Sequence, residues 1–109
     1  MADSSGRVLD QLFETLKTRR GADPEKSYTA KLFARGRGKI AQKLGEESVE
    51  TVIAALSETP DRVISESADL LYHLLVLWAD CDIEPYQVWT ELEGRIGTSG
   101  VDEKKSRKS

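Results

Sequence analysis

Apolar side chains recur along this chain at intervals of three and four residues, between polar stretches that carry helix start and stop signals. Val8, Leu9, Leu12, Phe13 and Leu16 form one stripe of a first helix, with Ser4 or Ser5 placed to cap it and Gly21 to stop it. After a turn at Gly21-Ala-Asp-Pro24, Ser27 is placed to cap a short helix holding Tyr28, Leu32 and Phe33, which Gly36-Arg-Gly38 interrupts. From about Lys39 the helical period returns in Ile40, Leu44, Val49, Val52, Ile53 and Leu56, with acids on another face, and it ends near Ser57. Thr59-Pro60 is a start signal for a helix to about Asp80, and Pro85 opens a last one with Tyr86, Val88, Trp89, Leu92 and Ile96, ended by Gly97.

No strand-like alternation competes with this pattern, so the expected fold is all-α, with four to five helices. Residues 1–97 are expected to be one domain and 98–109 a charged tail, flexible by composition. In the second half of the Pro60 helix, Leu70, Leu71, Leu74, Leu75, Val76, Leu77 and Trp78 are apolar nearly all round. A chain of 109 residues has too few other helices to cover every side. The spare surface is therefore expected to face a second copy, making a bundle completed by homodimerisation.

The net charge of −3 argues against a partner that is a nucleic acid polymer, whose affinity comes mainly from phosphate neutralisation. No apolar run approaches the ~20 residues of a membrane span. Cys81 is the only cysteine, so no intrachain disulfide forms, and a reducing cytoplasmic setting is expected. Cys81 itself reads as a small, half-buried residue at a helix end.

Charge along the chain is uneven. Lys31, Arg35, Arg37, Lys39 and Lys43 fall in a segment without acids, directly before one that holds Glu46, Glu47, Glu50, Glu66 and Asp69. Glu47 and Glu50 are three apart, as are Glu66 and Asp69, so each pair points one way from its helix. Asp69, between Ala68 and Leu70, opens the most apolar run of the chain, and a carboxylate desolvated there needs a positive partner. Mg²⁺, a hard cation that couples a few carboxylates to substrate phosphates, fits this set. A di-iron bundle does not, because it needs Glu-x-x-His motifs, and the one histidine, His73, reads as a hydrogen-bonded core residue. With no credible covalent nucleophile, the chemistry indicated is hydrolysis of a phosphoanhydride, with one carboxylate free to take the proton of water and Arg35, Arg37, Lys39 and Lys43 placed to hold phosphates.

The pattern Glu47-x-x-Glu50, fifteen residues, then Glu66-x-x-Asp69 resembles the signature of the all-α nucleoside triphosphate pyrophosphohydrolases, the MazG-like group. Longer strings sharpen the match: Ser27-Tyr-Thr-Ala-Lys-Leu-Phe33, Gln42-Lys-Leu-Gly-Glu-Glu-Ser-Val-Glu50, Ala68-Asp-Leu-Leu-Tyr-His-Leu-Leu-Val76 and Ser106-Arg107. Together they resemble the phosphoribosyl-ATP pyrophosphatase family of histidine biosynthesis over about residues 8–107. The resemblance implies Mg²⁺-dependent hydrolysis of phosphoribosyl-ATP, metal binding by Glu47, Glu50, Glu66 and Asp69, and catalytic roles among Glu46, Glu47 and Glu50. It further implies substrate contacts from Ser27, Tyr28, Thr29, Lys39, Lys43 and Arg107, and a tail able to fold over bound substrate. The family also occurs fused to a cyclohydrolase domain, for which this chain has neither room nor a His/Cys-rich pattern, so the stand-alone form is expected. Two other readings share parts of the pattern: a housekeeping pyrophosphohydrolase of free or damaged nucleoside triphosphates, and a non-catalytic helical dimerisation module whose acids are solvated. Tyr28, Tyr72, Trp78 and Trp89 are expected in the core.

Overall fold

A computed structural model describes residues 5–97; the tail, Ser4 and Arg107 lie outside the described residues. Five helices follow one another: α1 (Arg7–Arg19), α2 (Tyr28–Arg35), α3 (Arg37–Ser57), α4 (Pro60–Asp80) and α5 (Pro85–Glu93), with no strand among the described residues. None of these helices is long and apolar enough to cross a membrane.

The long helices α3 and α4 make an antiparallel hairpin joined by Glu58 and Thr59. Its register is fixed at two points. Near the connection Thr51 Oγ1 lies 3.3 Å from the Glu66 carbonyl, and at the far end Arg37 Nε meets Asp80 Oδ2 at 2.9 Å. α1 packs against α4, and α2 lies against α3.

The core gathers where α3 begins and α4 ends. Phe13 and Leu16 of α1, Leu32 of α2, Ile40 of α3, and Leu75, Val76 and Ala79 of α4 are buried together. Full burial of a larger apolar side chain such as these contributes about 1.5–3 kcal/mol. The last carbonyls of α4, which lack intrahelical partners, are bound by two guanidinium groups: Arg20 Nη1 donates to the Ala79 carbonyl at 2.9 Å and Arg37 Nη2 to that of Asp80 at 3.0 Å. α5 closes this end through Trp89, whose ring meets Trp78 edge-on and whose Nε1 donates to Asp10.

Several boundaries differ from the sequence pattern, each for a local reason. Gly36 alone separates α2 from α3: its φ of +95° is open to glycine and closed to most side chains, while Arg37 and Gly38 are already helical. α1 starts from Gly6, with Ser5 Oγ accepting the N–H of Arg7 instead of acting as the cap residue itself. Thr59 occupies the cap position of α4 without a side-chain hydrogen bond. α5 ends at Glu93, before Ile96, because Gly94–Gly97 form turns.

Apart from Leu71, the exposed apolar surface of the hairpin lies elsewhere than expected. Leu75, Val76 and Ala79, in the second half of α4, are covered within the chain. On the hairpin the uncovered large side chains are Val49, Val52, Ile53 and Leu56 on α3, with Ile64 and Leu71 on α4, and Leu56 is 83% exposed. The inward seam of α3 is instead Ile40, Glu47 and Ala54, spaced by two helical turns. On this part of α3 an acid faces the neighbouring helix and the aliphatic side chains face out.

Candidate metal centre

Glu47 reaches the interior because it shares a seam with Ile40 and Ala54, and Glu66 because it lies two turns before His73 on the inner face of α4. The antiparallel register then sets the two acids opposite each other. Thr51 helps hold that register: its hydroxyl donates to the Glu47 carbonyl at 2.8 Å and also faces the Glu66 carbonyl across the hairpin.

One oxygen each from Glu47, Glu66 and Asp69 falls within a 4.8 Å set. Glu47 is 8% and Glu66 6% exposed, whereas Asp69 is exposed. The sequence expectation of a desolvated Asp69 is thus corrected. Ala68 and Leu70, its chain neighbours, point away from its face, and the desolvated acids are the two glutamates. Glu50 lies outside the 4.8 Å set, but its carboxylate adjoins both Glu47 and Glu66.

Glu47 Oε2 and Glu66 Oε2 are buried and have no hydrogen-bond partner. A buried anion without a donor is strongly unfavourable, and a divalent cation with oxygen ligands would supply the missing charge. The donor set is made of carboxylates alone, the chemistry that hard cations take. On both counts these residues fit a metal ion. Burial, followed by the adjoining Glu50, holds the Glu47 carboxyl above the ordinary carboxylate range, and Glu66 is raised the same way, partly offset by Arg62.

Glu46 is not brought into the set. It is exposed, and both of its oxygens are occupied, Oε2 by Gln42 Nε2 at 2.9 Å and Oε1 by Lys43 Nζ at 3.0 Å. The hydrogen bonds from Gln42 and then Lys43 hold its pKa below the usual value. Lys43 remains close enough to Glu47 and Tyr28 to act on both electrostatically. Lys39 is one turn further back on the same side of α3. Arg37 is at the far end of the hairpin, occupied by Asp80.

The Ser27-Tyr28-Thr29 string divides into three roles. Ser27 caps α2, its Oγ accepting the N–H of Ala30 at 3.2 Å. Thr29 is buried and hydrogen-bonds the Tyr72 hydroxyl. Tyr28, expected in the core, is 52% exposed. Its hydroxyl is tied to buried His73: Nδ1 of that ring faces the Asp69 carbonyl at 2.8 Å and must donate, while Nε2 hydrogen-bonds Tyr28 Oη, 3.0 Å away. Tyr28 thereby stands beside the acid set, linked through His73 to the turn that carries Asp69.

Arg62 is a site residue that the sequence reading passed over. Its Nη2 donates to Glu66 Oε1 at 2.8 Å and its Nε to Glu58 Oε1 at 3.2 Å. Part of the signal was there in the spacing, since Arg62 lies four residues before Glu66 on α4. The cross-hairpin contact of Thr51 had no such signal, since it depends on the register of two helices.

The raised acids give a pH dependence with a definite sign. Unfolded, Glu47 ionises near the ordinary value of 4.5; folded, it keeps its proton to higher pH. The metal-free chain therefore loses stability from this group as pH rises above about 4.5. In chelator, Glu47→Gln should melt higher than wild type at pH 8, with the difference vanishing below about pH 4.5. Equal melting temperatures at pH 8 would show that Glu47 carries no burial penalty.

Comparison with known proteins identifies the family. The sequence profile of the phosphoribosyl-ATP pyrophosphohydrolase family matches residues 9–95. The chain is 67% identical over 107 residues to the phosphoribosyl-ATP pyrophosphatase of Paramagnetospirillum magneticum, covering 98% of this chain and 97% of the relative. It is 62% identical over 105 residues to the protein of that name from Azospirillum brasilense, covering 96% and 95%, and 59% identical over 101 residues to that from Rhodospirillum rubrum, covering 93% and 86%. With a family profile and relatives that match it over nearly its whole length, the chain belongs to the phosphoribosyl-ATP pyrophosphohydrolase family.

Proposed function

We propose that this chain hydrolyses 1-(5-phosphoribosyl)-ATP to 1-(5-phosphoribosyl)-AMP and pyrophosphate with Mg²⁺, the second step of histidine biosynthesis, in the cytoplasm. Family membership and the names of its relatives support the substrate. The observation that carries the chemistry is the pair of buried, unpartnered oxygens of Glu47 and Glu66 beside Asp69.

In this reading Glu47, Glu66 and Asp69 hold the ion. When bound, Mg²⁺ supplies charge neutralisation at phosphate oxygens and favours a water nucleophile. Glu50, exposed and next to both buried glutamates, accepts a proton from the attacking water as the α–β anhydride bond breaks and pyrophosphate leaves. Lys43 exchanges Glu46 for a substrate phosphate, a small loss because ion pairs at the surface contribute little. Lys39 extends the basic edge by one turn. Tyr28 offers its exposed ring to the substrate, with Ser27 and Thr29 fixing the start of α2 beneath it. Glu46, occupied on both oxygens, positions Lys43 and takes no part in the reaction itself.

The working unit is a homodimer. Val49, Val52, Ile53, Leu56 and Ile64 form an apolar stretch on the hairpin that nothing among the described residues covers, and a second copy would bury it.

With Mg²⁺ present, pyrophosphate release from phosphoribosyl-ATP should far exceed that from free or damaged nucleoside triphosphates. Glu66→Gln and Asp69→Asn should each lower kcat/KM by at least about a hundredfold, since even partners of metal ligands cost 10–100-fold in metal affinity or activity. Preference for a free triphosphate would overturn the substrate, and undiminished turnover in chelator would overturn the metal. In sedimentation, the wild type should run as a dimer and Leu56→Asp as a monomer; a monomeric wild type would contradict the apolar interface.

A further inference from the structure

Resting on the metal reading above, we infer that Arg62 is a positioning residue that makes Glu66 a one-oxygen ligand and thereby selects Mg²⁺ over Ca²⁺. The two oxygens of Glu66 have different surroundings. Oε1 accepts from Arg62 Nη2 at 2.8 Å, while Oε2 is buried without a partner. The Glu66 side chain is buried and Arg62 half exposed, so the guanidinium covers the carboxylate from the solvent side.

Glu58 fixes that cover. Its Oε1 takes Arg62 Nε at 3.2 Å, so the planar guanidinium is held at two points, which favours its place over Glu66. Glu66 has one oxygen engaged and one left for a cation.

That division matters to the identity of the cation. Mg²⁺ demands near-octahedral geometry at about 2.0–2.1 Å, usually with several waters and one or two carboxylates, whereas Ca²⁺ gathers about 6–8 oxygens and often takes both oxygens of one carboxylate. Engaging Oε1 weakens and turns away the second oxygen that Ca²⁺ would use and costs Mg²⁺ nothing of its preferred coordination. The positive charge of Arg62 opposes both ions, but both are divalent, so this repulsion largely cancels from their ratio.

The test is calorimetric titration of Mg²⁺ and of Ca²⁺ into metal-free wild type, Arg62→Ala and Arg62→Lys, without substrate. Melting in chelator establishes that each variant folds. Arg62→Ala should lower the Mg²⁺/Ca²⁺ affinity ratio by about tenfold, the lower end for a residue that orients a metal ligand. Arg62→Lys, which keeps a donor on Oε1, should restore most of the ratio. An unchanged ratio in Arg62→Ala, or the same fall in both variants, overturns the assignment of Arg62 while leaving the metal site in place. A wild type that binds neither ion overturns the metal reading and this one with it.

Discussion

Burying a carboxylate oxygen without a donor is among the least favourable arrangements a small protein can contain, and two such oxygens, Glu47 Oε2 and Glu66 Oε2, are found among the described residues, on facing helices of the hairpin. Nearly every feature around them keeps them there. The seam that buries Glu47 also buries Ile40 and Ala54, so α3 cannot turn the acid outward without exposing core. Thr51 holds the hairpin register near Glu66, and Arg37 and Arg20 bind the far end of α4. The metal-free fold accepts an unfavourable site because the apolar core, placed at the opposite end of the hairpin, holds the two helices in position.

This separation of stability from chemistry accounts for the shape of the molecule. α1, α2 and α5 cluster at the end where α3 starts and α4 finishes, and they build the core there. The connecting end is left with acids inside and aliphatic side chains outside. Tyr28 joins the two regions, since α2 belongs to the packed end while the tyrosine hydroxyl is held by His73, one turn beyond Asp69.

Much of this was legible in the sequence, and what was not has physical reasons. The five helices followed from period and punctuation, and the two acid pairs from their spacing of three. Which acids are buried did not follow, because adjacent residues such as Ala68 and Leu70 say little about the face that Asp69 occupies; the informative neighbours lie three, four and seven residues away. Glu66 with His73, and Glu47 with Ile40 and Ala54, carried that information. The outward direction of Val49, Val52, Ile53 and Leu56 was hidden for a related reason. An apolar stripe reads as inward whether its cover comes from the same chain or from another.

The central claim is that the buried glutamate oxygens are cation ligands. Its most direct test is anomalous diffraction from crystals grown with Mn²⁺, an ion that takes the same oxygen ligands as Mg²⁺. The account expects an anomalous peak within bonding distance of Glu47 Oε2, Glu66 Oε2 and the Asp69 carboxylate. Peaks confined to other places, with the two buried oxygens left unliganded, would contradict it.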